Sequence, residues 1–158
     1  MNVLLRKISP EDALISWKWR NDPDIWKLTG RKWEGNVDPN IERKWIEQVI
    51  NDPTRITFSI VAGTDFEYVG NVQITNINAN NARFHIFIGN KNYWRKGIGS
   101  EATRLFIEYV KKNLNIKSIY LFVNKTNVAA LKIYRNVGFI EDSANDYQIK
   151  MSFYLNND

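Results

Sequence analysis

Three groups of residues in this chain have the types and spacing to do chemistry. The first is the run Trp94-Arg95-Lys96-Gly97-Ile98-Gly99-Ser100-Glu101-Ala102, a glycine-punctuated turn between a strand and a helix. The first N–H groups of a helix lack an intrahelical acceptor and carry the positive end of the helix dipole. With no Cβ at Gly97 or Gly99, a phosphate can approach the backbone closely. The turn therefore reads as an anion cradle made by the backbone of Arg95, Lys96, Gly97, Ile98, Gly99 and Ser100. The side chains of Arg95 and Lys96 either add point charge to it or lie solvated. The second group is Asn127, Ala130 and Tyr134, spaced i, i+3, i+7 and hence on one helical face. A phenol protonated at neutral pH is a proton donor; a helical Tyr is also commonly a core aromatic. Asn127 either contacts a ligand or caps its helix. The third group is Arg83 and His85, which share a strand face with Phe87 by alternation. His85 is the only histidine among 158 residues. An imidazole titrating near neutrality can accept a proton, although a lone histidine in an aromatic-rich sheet also serves structurally.

The elements that must position these groups can be read from periodicity. Residues 82–89 form a strand. Residues 98–113 form a helix with Ile98, Ala102, Leu105, Phe106, Tyr109 and Val110 as its apolar stripe. A strand at 118–124 leads into the helix that carries Tyr134, which Gly138 stops as a left-handed residue. A strand at 3–7 comes first, followed by a helix capped by Ser9 with Pro10 at its first position. Pro23 and Gly30 break a loop that includes a short helical turn. Asp38-Pro39 opens another helix, with Ile41, Trp45 and Val49 on its inner face. Residues 57–62 and 68–76 form a hairpin across Gly63-Thr64-Asp65, and the last strand is 147–154. Strand–helix–strand in the middle implies one parallel pair in an otherwise antiparallel sheet. The fold class is α+β, a mixed central sheet with helices on both faces, in a single domain spanning residues 1–158.

Composition narrows the chemistry. There is no cysteine, which excludes disulfides, zinc–thiolate sites and a thiol nucleophile; no metal is implied. The N-terminus has no long apolar run, so neither a signal peptide nor a membrane span is expected there, and the expected location is the cytoplasm. A net charge of +5 suits anionic partners without choosing among them. Basic residues interleaved with aromatics, as in Lys18-Trp19-Arg20, can also mark a nucleic-acid surface. Here they are scattered rather than clustered, which argues against one.

Together the Gly-x-Gly turn and the run Asn127-x-x-Ala130-x-x-x-Tyr134-x-x-x-Gly138-Phe139 resemble the GNAT family of acetyl-CoA-dependent N-acetyltransferases. The resemblance covers residues from about 4 to 152. It implies the GNAT fold, acetyl-CoA as acyl donor with its pyrophosphate in the cradle, and backbone contacts from Phe87 and Ile88 to the thioester carbonyl and the coenzyme arm. It also implies an Asn127 contact to that arm and Tyr134 as general acid beside the sulfur. One departure matters. Where many members carry Glu on the strand, this chain carries Arg83 and His85, so a carboxylate base cannot be carried over. His85 then becomes the candidate base, and Arg83 a candidate ligand for an acidic group on the acceptor. Trp94 replaces the usual Gln or Arg, a variant that resembles the branch of ribosomal-protein N-terminal acetyltransferases.

The acceptor is a small amine, and the N-terminal third should line its side of the site. Trp19-Arg20-Asn21-Asp22-Pro23-Asp24-Ile25 resembles the start of acetyltransferases acting on nucleotide-linked amino sugars, and more loosely the protein N-terminal and aminoglycoside branches. Trp19, with Trp26 and Trp33, offers aromatic faces; Arg20 and Arg31 offer charge for phosphate. Trp17 and Trp45 sit at core-facing helical positions. A protein or peptide N-terminus is the alternative acceptor, and a non-catalytic acyl-CoA-binding module the alternative class. The oligomeric state, monomer or homodimer, is left open by the sequence.

Overall fold

The computed structural model describes residues 1–29 and 35–155. The roles suggested for Gly30, Arg31 and Trp33 therefore concern residues outside those described. The strands are β1 (Val3–Lys7), β2 (Ile56–Ala62), β3 (Glu67–Thr75), β4 (Asn81–Ile88), β5 (Ser118–Asn124), β6 (Ile140–Ala144) and β7 (Gln148–Tyr154). The helices are α1 (Ala13–Arg20), α2 (Pro23–Thr29), α3 (Pro39–Asn51), α4 (Ile98–Asn113) and α5 (Val128–Val137). The strands form one sheet in the order β1-β2-β3-β4-β5-β7-β6. Every neighbouring pair is antiparallel except β4 and β5. Helices lie on both faces, as the sequence predicts.

The parallel pair is short. It joins Asn81 to Ser118, Ala82 to Ile119 and Arg83 to Tyr120, while β4 runs on to Ile88 and β5 to Asn124. Beyond Arg83 and Tyr120 the two strands part and leave an opening in the middle of the sheet. Every strand edge there carries backbone N–H and C=O groups without a ladder partner.

The core lies between the sheet and α4. Ile98, Ala102, Phe106 and Val110 are at most 1 % exposed, and Thr103 and Ile107 join the predicted stripe. Phe106 packs against Phe58 and Phe84, with ring centroids 5.8 and 6.1 Å apart. Full burial of one such side chain is worth roughly 1.5–3 kcal/mol.

The opposite face is more polar, because the turn Pro10–Asp12 and α3 place the buried carboxylates Asp12 and Glu42 there. The 3-10 turn Pro10–Asp12 precedes α1, so Ser9 and Pro10 begin that turn and Asp12 begins the α-helix. The buried Asp12 carboxylate takes two hydrogen bonds from Arg6, at 2.8 and 2.7 Å, one from the Ser9 N–H at 3.0 Å and one from the Ser59 hydroxyl at 2.7 Å. Burial alone would push this carboxyl up; the Arg6, Ser9 and Ser59 hydrogen bonds outweigh it and hold it below its ordinary value.

Two expectations are corrected. The inner face of α3 is Glu42, Ile46 and Val49, with Ile41 exposed and Trp45 half-buried. The helix turns about 100° per residue, and Asp38, whose carboxylate accepts from the Ile41 N–H at 2.8 Å, sets its phase so that 42, 46 and 49 face inward. The strand β6 was not foreseen. All five of its residues are exposed, so it carries no alternating pattern and owes its conformation to pairing with β7.

Candidate active site

The anion cradle is built by two backbone features. Arg95 and Gly97 both have positive φ, at 62° and 78°, which turns successive N–H groups outward before α4 begins. The N–H groups of Arg95 to Ser100 find no acceptor among the described residues; the first helical bond is Glu101 N–H to the Gly97 carbonyl, at 3.1 Å. A Cβ placed on Gly97 or Gly99 would meet no atom within 4 Å. The space in front of the turn is therefore open, and the donors face it. These residues fit a pyrophosphate, which needs several N–H donors and close backbone approach. Arg95 and Lys96 are exposed, and the Lys96 ammonium lies 5.7 Å from the Tyr93 ring centroid.

The opening between β4 and β5 continues into a cavity that is open to solvent at its mouth. One wall comes from β5 and α5, through Leu121, Val123, Asn127, Ala130 and Tyr134. The Asn127 carboxamide oxygen accepts from the Ala130 N–H at 3.2 Å. It therefore caps α5 and also lines the cavity, and its NH2 group has no hydrogen-bond partner among the described residues. Tyr134 is half-buried, edge-on to Phe84 and Phe139, with centroids 6.2 and 5.6 Å apart. Burial pushes its phenol up to about 12. Gly138 explains why the motif ends Gly-Phe. Its φ of 124° stops α5, its N–H bonds the carbonyls of Tyr134 and Arg135, both at 3.1 Å, and the chain turns back to bury Phe139 against Tyr134. A Cβ there would come within 2.9 Å of Phe153.

The second wall is β4 with α1, α2 and α3. Gly89 N–H bonds the Val69 carbonyl at 2.8 Å, so by strand alternation the Ile88 N–H and C=O point away from β3 toward the opening. The Ile88 carbonyl accepts from the Trp94 indole at 2.8 Å. Phe87, whose ring lines the cavity, pairs with Asn71 on the β3 side. His85 lines the cavity and lies 3.1 Å (Nε2) from the Thr75 hydroxyl. Arg83 lines it too, with its guanidinium 4.9 Å from the Phe122 ring centroid.

Trp19 and Arg20 both reach this cavity, but much of each is engaged elsewhere. Trp19 is 8 % exposed; it packs on Tyr68 at 4.8 Å and Phe87 at 6.0 Å. Gly89 must be glycine, since a Cβ there would fall 2.0 Å from the Trp19 ring. Arg20 bonds the buried Glu42 at 3.1 Å and stacks over Trp45 at 3.8 Å. Burial raises the Glu42 carboxyl, with Arg20 opposing. Lys91 holds α2 to this end of the sheet through Asp22 at 2.9 Å and Asp24 at 2.8 Å.

Several lining residues have no signal in the sequence. Gln73 reaches the cavity because β3 pairs it with His85. Asn124 and Gln148 meet across β5 and β7 at 3.4 Å. Trp45 packs on the small core of Ile8, Ala13, Ile46 and Val49 while also facing the cavity. Cross-strand register and helix docking decide all of these.

Known proteins resemble this chain in sequence and in fold. Residues 2–140 match the family model described as acetyltransferase (GNAT) domain. The acetyltransferase PseH of Campylobacter jejuni is 25 % identical over 142 residues, covering 89 % of this chain and 85 % of that protein. An uncharacterised protein of Methanocaldococcus jannaschii is 24 % identical over 144 residues, covering 87 % of this chain; the chain spans only 28 % of that protein's length. The crystal structure of spermidine N-acetyltransferase from Vibrio cholerae in complex with CoA and spermine superposes with a TM-score of 0.86 at 20 % identity, covering 97 % of this chain and 95 % of that one. The chain belongs to the GNAT family of acetyl-CoA-dependent acetyltransferases.

Proposed function

We propose that the acceptor is a small amino sugar linked to a nucleotide, with Tyr134 as the general acid of the transfer. One observation carries the acceptor class. Among the described residues, the cavity is lined by Arg20, Arg83 and His85, by Trp26 and Trp45, and by no Asp or Glu. A polyamine carries several positive charges and calls for carboxylates to receive them. The Arg83 guanidinium, with no carboxylate partner among the described residues, and the indole rings of Trp26 and Trp45 instead suit a phosphate and a sugar ring. The similarity to PseH over 89 % of this chain supports the same reading.

Bound acetyl-CoA supplies an electrophilic thioester carbonyl and a thiol leaving group. The rest follows from this chain's own groups. The cradle N–H groups hold the pyrophosphate, and the Asn127 NH2 group is free to donate into the cavity. The Ile88 N–H faces the opening where a carbonyl oxygen gains charge. The Tyr134 hydroxyl has no hydrogen-bond partner among the described residues, so its proton is available to a departing sulfur. His85, fixed by Thr75, is the candidate acceptor of the amine proton.

The experiment is thiol release from acetyl-CoA with nucleotide-linked amino sugars, aminoglycosides, spermidine and peptides with free N-termini. Release with nucleotide-linked amino sugars at a kcat/KM at least tenfold above the others is expected. Preference for spermidine or for peptides would overturn the acceptor assignment.

A further inference from the structure

Arg83 stands apart from the other charged groups around the cavity. The Arg20 guanidinium is matched by Glu42. Arg55, just outside the lining, donates to Gln73 at 2.7 Å. Arg83 has no carboxylate near it among the described residues, and its buried Nε has no hydrogen-bond partner. Its guanidinium lies over the Phe122 ring, a contact that occupies one face of the group and none of its N–H groups. Leaving the buried Nε–H of a guanidinium unmet is costly, and a partner brought from outside the chain would relieve that cost.

Its position says from which side. Arg83 is the last residue of β4 paired with β5, at the floor of the opening. It lies on the strand face of His85 and Phe87. Phe84, which packs on Tyr134, lies on the other face. The pyrophosphate cradle stands on α4, across the sheet from Arg83, so the coenzyme's phosphates already have their own donors.

We propose that Arg83 receives a pair of anionic oxygens carried by the acceptor, a carboxylate or a phosphoryl group, and so selects acceptors by charge. The planar fork of N–H donors matches two such oxygens. This rests on the amine-acceptor reading of the cavity but does not require the acceptor to be a nucleotide sugar.

Two measurements test it. The first compares an amino sugar as its 1-phosphate, as its uronic acid and as its neutral methyl glycoside, with the wild type, Arg83→Lys and Arg83→Gln. In the wild type an anionic form is expected to exceed the neutral one in kcat/KM by about 10- to 100-fold. In Arg83→Gln that ratio collapses toward one through KM, and Arg83→Lys restores part of it. An equal loss on charged and neutral acceptors would make Arg83 structural and overturn the proposal. The second measurement needs no turnover. With CoA saturating the cradle and ionic strength held constant, inorganic phosphate or acetate is expected to raise the Tm of the wild type, and to raise that of Arg83→Gln less. The anion with the larger effect identifies the phosphoryl or the carboxylate source. No shift in the wild type, or an equal shift in the variant, overturns the proposal even if none of the amino sugars is acetylated.

Discussion

Arg83 and Tyr120 form the last rung of the parallel ladder between β4 and β5. The next residues on each strand, up to Ile88 and Asn124, are free to diverge, and the cavity opens there. Tyr134, Asn127 and His85 come together because this rung is where pairing stops.

Removing the Tyr134 hydroxyl tests the general acid. Tyr134→Phe is expected to lower kcat roughly 10- to 100-fold with CoA affinity little changed. The ring contacts with Phe84 and Phe139 remain, so Tm should hold. With the phenol pushed up to about 12, no basic limb of the pH–rate profile below about pH 10 should come from its ionisation. The sign for stability is the same. The folded phenol stays protonated where the unfolded one ionises, so this contribution is intact below the ordinary tyrosine range and is lost as pH rises through about 12. Unchanged turnover in Tyr134→Phe would reduce the residue to packing.

The cradle can be blocked without disturbing the free protein. Nothing lies within 4 Å of a Cβ at Gly99, and that residue does not have positive φ. Gly99→Val should therefore fold normally while filling the approach of a phosphate, weakening CoA binding by at least about tenfold. Calorimetric titration of a folded Gly99→Val protein with wild-type CoA affinity would remove the cradle from the site.

His85 is tested by pH. If it accepts the amine proton, His85→Gln should lose the acidic limb of kcat/KM that a general base produces. Thr75→Val, which removes the hydroxyl 3.1 Å from its ring, should displace that limb without abolishing it. Profiles that superpose in all three proteins would leave His85 a structural residue.

Asp12 is a prediction about the scaffold. Asp12→Ala removes a buried carboxylate that binds Arg6, Ser9 and Ser59. Because Arg6 is partly exposed, the cost should be about 2–4 kcal/mol, below that of a fully buried pair. The folded carboxyl is held below its ordinary value, so its stabilisation is present above the unfolded carboxylate range and lost as pH falls through the folded value. Urea melts of wild type and Asp12→Ala should draw together as pH falls below the ordinary carboxylate range if the network acts this way.

Much of this protein was legible in one dimension. Glycine at 97, 99 and 138 and the i, i+3, i+7 face of Asn127, Ala130 and Tyr134 are local features, governed by φ and helical period. The strand–helix–strand order around α4 required a parallel pair. Local rules could not show where that pair ends, nor that Gln73 stands opposite His85, because register depends on partners far away in sequence. They assigned Ile41 to the wrong face of α3, since the cap at Asp38 and the contacts of Glu42 with Arg20 set that helix's rotation. The strand β6, exposed along its length, exists only through β7. Most consequentially, sequence presents Arg20 and Arg83 as equivalent cations. Only the fold matches the first with Glu42 and leaves the second with no carboxylate partner among the described residues, because charge pairing depends on distance through space rather than along the chain.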